Sequence, residues 1–299
     1  MSLISIDKFT KVSIQNYITN TEIIENQYNI NKIDKILEGK IIGLLFYEPS
    51  TRTRCSFEVA IKKLGGETIL VNELYSSHQK GESIEDTIKT MECYCDALVI
   101  RHPEKNSMNK IIQVANKPII NAGDGDGEHP TQALLDIYTI YKHFNTVEQL
   151  TYTFVGDLKY SRTVHSLIKV LSLYSNMKVF LISPSGLELP REYKDLLYIN
   201  DIVYYERTNL DEDVLLVTNV LYMTRLQKER FSQEKNVNNF VLNKEKMKLA
   251  NKNMIVLHPL PRNTEISTEI DDDPRCKYIE QMKNGLYMRM TILSNIFYI

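Results

Sequence analysis

The 299-residue sequence lacks tryptophan altogether and carries a net charge of only −2. No apolar run approaches the roughly 18 residues that a membrane-spanning helix needs. Acidic and basic residues are interspersed, so no extended field favours nucleic acid or an anionic membrane. We therefore expect a water-soluble protein whose partners are small molecules, with no nucleic acid and no membrane among them.

Cysteine is also scarce, and no C-x-x-C pair of the kind found in zinc or redox sites is present. The four cysteines are Cys55, Cys93, Cys95 and Cys276. Cys93 and Cys95 are two positions apart on a predicted helix, where they point to different faces. We interpret all four as structural thiols, because a buried free cysteine behaves as a small hydrophobe.

Three catalytic motifs are missing as well: the G-x-S-x-G nucleophile turn, the phosphate-binding G-x-x-x-x-G-K-[ST] loop and the H-E-x-x-H metal motif. The glycine-rich stretch Asn121–Pro130 has neither dinucleotide-loop spacing nor the glutamate of a calcium loop, and we predict a turn there. No metal and no cofactor is therefore expected. Residues 1–12 are unlike a secretory signal or a transit peptide, so we expect a cytoplasmic location.

What is present is an alternation of short apolar runs with longer segments of helical period, which is typical of parallel α/β sheets. The predicted strands are Lys40–Tyr47, Thr68–Val71, Ala97–Ile100, Pro118–Asn121, Thr151–Val155, Lys178–Ile182, Ile202–Tyr205, Val214–Tyr222 and Met254–Leu257. The main predicted helices are Thr51–Leu64, Ile84–Tyr94, Thr131–Phe144, Thr163–Tyr174 and Lys244–Ala250.

The length of the chain favours two domains, and the helix at Thr131–Phe144 lies where a connector would be expected. We predict two doubly wound parallel-sheet domains, residues 1–144 and 145–284, with the active site in the cleft between them. A C-terminal helix, residues 285–299, is expected to pack back on the first domain. The charged stretch Gln227–Lys248 is predicted to be a long loop.

Unusual polar clusters follow six of the predicted strands. They are Ser50–Arg54, Arg101–Pro103 and His129–Gln132 in the first half, and Gly156–Thr163, Met223–Gln227 and His258–Arg262 in the second. Ligands of open parallel sheets bind outside the carboxyl ends of the strands. These clusters are therefore the candidate binding residues.

The first cluster, Ser50–Arg54, opens a predicted helix with hydroxyls and guanidinium groups beside free backbone N–H groups. This combination favours an anion, and the planar fork of arginine suits phosphate. The alternative is an ordinary capped helix whose arginines are solvated.

A second set of residues, Thr53, Arg101, His129 and Gln132, could surround a carbonyl oxygen with donors. Such donors stabilise the negative charge that develops as a nucleophile adds. A buried histidine with a purely structural role is the alternative for His129.

In the second half, Arg162 and Arg225, with Gln227, could bind the two carboxylates of a dicarboxylic acid. Surface salt bridges are the alternative for these arginines. The segment His258–Pro261 presents backbone carbonyls made rigid by proline, which could orient an amide or an amine.

Taken in order, the clusters read F-x-E-P-S-T-R-T-R, R-H-P, H-P-T-Q, V-G-D-L-K-Y-x-R-T-V-H-S, Y-M-T-R-x-Q-K-E-R and H-P-L-P-R. Their order and spacing resemble those of the aspartate carbamoyltransferase family across almost the whole chain. S-T-R-T-R and H-P-x-Q would also fit ornithine carbamoyltransferase. The S-M-G loop and H-C-L-P motif of that relative are replaced here by Tyr222–Gln227 and His258–Pro261, so the aspartate family is favoured.

The resemblance implies a role for each matching residue toward carbamoyl phosphate. Its phosphate would be held by Ser50, Thr51, Arg52, Thr53 and Arg101. Its carbonyl would be polarised by Thr53, Arg101 and His129, which with Arg52 are the implied catalytic residues. Its NH₂ group would donate to Gln132, Leu260 and Pro261.

For the second substrate, L-aspartate, the resemblance implies binding by Arg162, Arg225 and Gln227. It also implies that Ser76 and Lys80 reach into the site of a neighbouring subunit, which makes a homotrimer with shared active sites the expected assembly. His78 and Gln79, in the same loop, depart from some family members, and Asp126 and Glu128 add negative charge beside His129. The effect of these four residues on the site stays open.

The implied reaction yields N-carbamoyl-L-aspartate and phosphate, the committed step of pyrimidine biosynthesis. The neutral amine attacks the carbonyl carbon and the departing phosphate accepts the proton, so no protein base is required. We expect no fused synthetase or dihydroorotase domain, whereas a separate regulatory chain stays open. The rivals are a carbamoyltransferase for another amine, such as ornithine, and a degenerate homologue that only binds.

Overall fold

The structure is a computed structural model that describes residues 2–72, 81–225 and 240–297. The chain forms two compact units, one made of Met1–Tyr138 with Lys283–Ile299 and the other of Thr139–Met282. The division falls inside a helix at mid-chain, and the chain re-enters the first unit within its last helix. The domain bounds predicted from the sequence, 1–144 and 145–284, remain a proposal.

The first unit is built on a four-stranded parallel sheet with the order β2-β1-β3-β4. Its strands are β1 (Ile41–Phe46), β2 (Glu67–Asn72), β3 (Ala97–His102) and β4 (Ile119–Asp124). Its helices are α1 (Lys11–Asn29), α2 (Thr51–Lys63), α3 (Ile84–Glu92), α4 (Ser107–Val114), most of α5 (Pro130–Phe144) and most of the C-terminal α10 (Tyr278–Phe297). Both central strands, β1 and β3, are apolar and buried, as expected when helices cover both faces of a parallel sheet.

The second unit has a five-stranded parallel sheet with the order β7-β6-β5-β8-β9. Its strands are β5 (Thr151–Val155), β6 (Lys178–Ile182), β7 (Val203–Arg207), β8 (Val220–Met223) and β9 (Ile255–Leu257). Its helices are α6 (Arg162–Leu171), α7 (Arg191–Ile199), α8 (Glu212–Val217) and α9 (Lys244–Leu249). Val155, Leu221 and Val256, from three neighbouring strands, lie in one buried cluster with residues of α8 and α9.

Each sheet has one point at which the chain reverses the direction in which it adds strands. In the first unit this point lies between β1 and β3, and in the second it lies between β5 and β8. Loops leaving such neighbouring strands diverge to opposite faces, and the resulting crevice is the usual ligand site of doubly wound sheets. The two parallel α/β sheets confirm the predicted fold class.

One predicted strand is wrong in part. Val214–Val217 belongs to helix α8, and only Val220–Met223 is extended. Asp211 precedes the helix, and Glu212 and Asp213 in its first turn complement the positive end of the helix dipole. A short apolar run does not distinguish a buried helix from a strand, which explains the error.

Three smaller predictions also need correction. Four of the ten residues predicted as a turn, Asn121–Asp124, belong to strand β4, and the turn begins only at Gly125. Cys93 caps the end of α3 and Cys95 lies beyond it, so they do not share a helix. The described end of the predicted loop 227–248 contains the start of α9. Among the described residues, no helix is long and apolar enough to cross a membrane.

Candidate active site

The loop after β1 leads directly into helix α2 at the reversal point of the first sheet. Ser50 is the residue before the helix, and within the described chain its side chain makes no capping hydrogen bond. The first turn of α2 contains no acidic residue, so the positive end of the helix is not neutralised locally. Thr51 and Arg52 are exposed there, whereas Thr53 is buried. This arrangement suits an anion that meets backbone N–H groups, hydroxyls and one guanidinium.

The second arginine of this cluster has a structural contact. Arg54 Nη1 lies 3.1 Å from Glu58 Oε2, one helical turn along α2. Glu58 is shared with Lys62, whose Nζ lies 2.9 Å from the other carboxylate oxygen. Arg54 is therefore held in an ion pair on the surface of its own helix. Arg52 is the more exposed arginine of this cluster.

Arg101 lies near the end of β3, the strand next to β1, and Phe46 is its partner in the register of the two strands. Its Nε donates to Glu48 Oε2 at 2.9 Å, and the side chain is only 15% exposed. Glu48 belongs to the loop that enters α2. The ion pair therefore holds the Arg101 guanidinium against the loop that leads into Ser50–Thr53, a role that the sequence motif alone did not assign to Glu48.

His129 precedes α5 and is buried at 3% exposure. Its backbone carbonyl accepts hydrogen bonds from the N–H groups of Gln132 and Ala133, and Pro130 begins the helix. Proline suits this first position because its missing N–H would have no partner within the helix. Thr131 Oγ1 lies 3.3 Å from His129 Nδ1. When the hydroxyl donates, Nε2 carries the ring hydrogen and is the donor available for chemistry.

Gln132, also buried, has a fixed amide. Its Nε2 donates to Asp136 Oδ1 at 2.8 Å, one turn further along α5. Because the donor end of the amide faces this carboxylate, the oxygen end points away from it. Gln132 is thereby oriented as an acceptor, which is what an incoming NH₂ group requires.

Asp136 in turn interacts with the buried Arg289 of α10. Burial lowers the pKa of the Arg289 guanidinium to about 10, and the charge of Asp136 opposes this shift. Arg289 Nη1 donates to Ser56 Oγ at 3.2 Å and to Gly285 O at 3.0 Å, and the guanidinium lies over the Phe57 ring. Arg289 thus donates to the helix that carries Arg52, and its charge attracts the Asp136 carboxylate on the helix that carries Gln132.

We predict that Asp136→Ala lowers the free energy of unfolding by about 1–3 kcal/mol, because it removes the acceptor of the buried Gln132 amide and the negative charge that favours the charged form of Arg289. Urea denaturation measures the effect. Asp136→Asn is the matched control, since it keeps an acceptor for Gln132 and removes only the charge, and it should lose less than the alanine variant. Wild-type stability of Asp136→Ala would contradict this account of the buried Asp136 carboxylate.

In the second unit, Arg162 and Arg225 follow β5 and β8, the two strands at the reversal point. Thr224 N donates to Val155 O at 2.8 Å, so the ends of both strands are tied together. Gly156 (φ 123°) makes this approach possible, because a Cβ there would lie 2.6 Å from Thr224 O. Arg162 is the first residue of α6 and Arg225 directly follows Thr224, and both are half-buried. The fold thus brings two guanidinium-bearing segments to one end of the sheet.

The segment His258–Arg262 follows β9, the neighbour of β8. His258 is buried, whereas Leu260 is half-buried and Pro261 is exposed. Leu260 has the left-handed φ of 56°. The far end of the segment is held by Arg262, which donates to Asp271 and to the Tyr278 hydroxyl. Two residues proposed to meet the carbamoyl NH₂ group therefore lie on a segment that is fixed at its far end.

His258 itself pairs with the buried Glu265, with 2.9 Å between Nε2 and Oε1. Burial pushes the pKa of Glu265 up, but hydrogen bonds from His258 and from backbone N–H groups outweigh it, and the pKa lies below its ordinary value. The carboxylate is therefore charged at neutral pH. Glu265 was not among the candidate binding residues predicted from the sequence, and no role was predicted there for the side chain of His258.

Three of the predicted site residues, Ser76, Lys80 and Gln227, lie outside the described residues, as do His78 and Gln79. Glu128 accepts hydrogen bonds from Ser5 Oγ at 2.6 Å and from Ile6 N at 2.9 Å, so its carboxylate anchors the N-terminal segment.

Within residues 2–72, 81–225 and 240–297, no group of three or more His, Cys, Asp or Glu side chains could hold a metal ion.

Both sheets of this α/β protein thus carry arginine side chains at their reversal points, an arrangement that suits small anionic ligands. Family models support a narrower assignment. Residues 1–142 match the aspartate/ornithine carbamoyltransferase carbamoyl-P binding domain, and residues 148–296 match the corresponding Asp/Orn binding domain.

Individual relatives agree with these family models. The aspartate carbamoyltransferase catalytic subunit of Clostridium acetobutylicum is 48% identical over 266 residues, which cover 87% of this chain and 86% of that protein. Aspartate transcarbamoylase from Trypanosoma cruzi, solved with carbamoyl phosphate and aspartate, superposes with a TM-score of 0.93 at 39% identity, covering 98% of this chain and 95% of that one. The chain therefore belongs to the aspartate carbamoyltransferase family.

Some relatives are much longer. The multifunctional protein pyr1-3 of Dictyostelium discoideum is 53% identical over 266 residues, which cover 88% of this chain. The chain spans only 12% of the length of that protein.

Proposed function

We propose that the chain is an aspartate carbamoyltransferase, which transfers the carbamoyl group of carbamoyl phosphate to the amine of L-aspartate. The products are N-carbamoyl-L-aspartate and phosphate, and the reaction is the committed step of de novo pyrimidine biosynthesis. The observation that carries the proposal is the position of Arg162 and Arg225 after the two strands at the reversal point of the second sheet. Two guanidinium groups match the two carboxylates of aspartate.

The first unit would bind carbamoyl phosphate. Its phosphate group meets the first turn of α2 and Arg101, with contacts from Ser50, Thr51, Arg52 and Thr53. Thr53, Arg101 and His129 donate toward the carbonyl oxygen, and they stabilise the negative charge that grows there during attack. Gln132 accepts from the carbamoyl NH₂ group, as the bond from its amide to Asp136 supports. Leu260 and Pro261, with their backbone carbonyls, would accept from the same group.

The chemistry then needs little beyond orientation. The aspartate nitrogen forms a bond to the carbonyl carbon, the bond from that carbon to the phosphate oxygen breaks, and the departing phosphate takes the amine proton. Holding both reactants in position supplies much of the acceleration in such a reaction. Arg162 and Arg225, with Gln227, would place the amine by binding the two carboxylates. This mechanism uses no cofactor.

The proposal includes an assembly. Ser76 and Lys80 would complete the site of a neighbouring subunit, so that the working form is a homotrimer with shared active sites. This part rests on the sequence resemblance alone. Binding of a separate regulatory chain stays open, and the cytoplasmic location remains a prediction that cell fractionation would test.

The first test is a product assay with the purified chain, carbamoyl phosphate and either L-aspartate or L-ornithine. We expect N-carbamoyl-L-aspartate to form without added metal. Ornithine should be a very poor acceptor, because Arg162 and Arg225 would repel its cationic side chain. Comparable rates with both amines would contradict the assignment to aspartate.

The same assay separates the enzyme from a homologue that only binds. A binding protein would retain carbamoyl phosphate in a calorimetric titration and form no product. The same assay with an added chelator tests whether the reaction requires a metal. Loss of activity that zinc or magnesium restores would contradict the proposed mechanism.

A further inference from the structure

The buried pair of His258 and Glu265 has a defined tautomer. The backbone N–H of Leu260 donates to His258 Nδ1 at 2.7 Å, so this ring nitrogen is an acceptor and carries no hydrogen. The hydrogen of the neutral ring is then on Nε2, which lies 2.9 Å from Glu265 Oε1. Glu265 therefore selects the tautomer that can hold Leu260.

The backbone of Leu260 needs this support. Its φ of 56° is left-handed, a conformation that is unfavourable for a non-glycine residue and persists only when its surroundings enforce it. The bond to His258 Nδ1 spans only two residues and acts directly on this peptide. His258 is fixed in its turn, because its backbone N–H donates to Gln281 Oε1 at 2.9 Å.

We infer that His258 and Glu265 are positioning residues for the transfer reaction, and that they act through the Leu260 carbonyl. The carboxylate fixes the ring tautomer, the ring holds the Leu260 N–H, and the left-handed turn presents the carbonyl to the carbamoyl NH₂ group. This inference rests on the proposed function, because only that function gives Leu260 a ligand. Neither side chain touches substrate in this account.

A merely stabilising role would predict a different pattern. Loss of a buried pair could loosen the whole second unit, including the ends of β5 and β8 that carry Arg162 and Arg225. Binding of a dicarboxylate would then weaken together with turnover. Succinate is a suitable probe, because it has the two carboxylates of aspartate and no amine.

Two substitutions divide the functions of the ring. His258→Asn places an amide oxygen near the position of Nδ1, so it can still accept a hydrogen bond from Leu260 N–H. It is too short to keep the hydrogen bond to Glu265. His258→Gln extends an amide toward Glu265 and leaves no acceptor beside Leu260. The assay measures kcat with carbamoyl phosphate and aspartate, and calorimetry measures the Kd of succinate in the presence of inorganic phosphate.

We expect His258→Gln to lower kcat by about 100-fold, the effect of a displacement of roughly 1 Å at a reacting group. His258→Asn should stay within about tenfold of the wild type, because it retains the bond to Leu260. The succinate Kd should change less than about twofold in both variants. Equal impairment of the two variants, wild-type kcat in His258→Gln, or a parallel loss of succinate binding would overturn the inference.

Glu265→Gln provides a second route if His258→Gln fails to fold. A glutamine amide can present either oxygen or nitrogen to Nε2, so the tautomer is no longer selected, and kcat should fall about fivefold. Wild-type kcat in this variant would also overturn the inference. An inactive wild-type chain is a distinct result, because it contradicts the proposed function itself and removes the ligand on which the inference depends.

Discussion

Replacing Arg52 with alanine should nearly abolish activity and weaken carbamoyl phosphate binding. Arg52 is the exposed guanidinium of the first turn of α2, since Arg54 is paired with Glu58. Each charge-assisted hydrogen bond lost to the phosphate should cost about 1.5–3 kcal/mol, which is roughly a tenfold to 150-fold change in Kd. Calorimetric titration of carbamoyl phosphate into the variant measures the binding part of this effect.

Arg225→Ala is the matched control for this prediction, because it also removes one guanidinium but lies in the other unit. It should leave carbamoyl phosphate binding near the wild-type value and chiefly raise the KM for aspartate. Arg54→Ala is a second control on α2 itself, and it should weaken carbamoyl phosphate binding much less than Arg52→Ala. Equal weakening by Arg52→Ala and Arg225→Ala would refute the division of the two substrates between the units.

The fold could be predicted from the sequence because its signals are local. Thr151–Val155 and Lys178–Ile182 were predicted with the bounds of β5 and β6, since each is a short apolar run rich in β-branched and aromatic residues. The strand prediction for Val214–Val217 was wrong for the same reason. Its β-branched residues favour a strand, but the packing that buries Val214 and Leu215 in helix α8 overrides this local preference. Local preference decides an element only when packing agrees with it.

The candidate binding residues could also be predicted from the sequence, because chemistry at the ends of parallel strands is concentrated in short motifs. The residues that orient these binding residues could not be predicted in this way. Asp136 has a weak local signal, one helical turn from Gln132, but its electrostatic interaction with Arg289 connects α5 and α10, which are distant in sequence. Glu265 lies seven residues from His258 and faces it only because the intervening segment turns back. No periodicity encodes such a turn.

The second large effect is expected when the proposed sharing of active sites between subunits is disrupted. If Lys80 serves the site of the neighbouring subunit, then isolated monomers should be inactive, because each would lack a substrate-binding lysine. Lys80→Ala and Arg52→Ala trimers should each be nearly inactive alone. Every site then lacks either its donated lysine or its own phosphate-binding arginine.

Mixing the two variants tests the sharing directly. After the subunits are dissociated, mixed in equal amounts and reassembled, a site is intact when its own chain retains Arg52 and the donor chain retains Lys80. Each condition holds for half of the chains, so about a quarter of the sites in a random mixture should regain every group. Activity should therefore rise from near zero toward about a quarter of the wild-type value, while each variant reassembled with itself stays inactive. Native mass measurement must show hybrid trimers in the same sample, because confirmed hybrids that remain as inactive as the parents would place Lys80 within its own site or outside catalysis altogether.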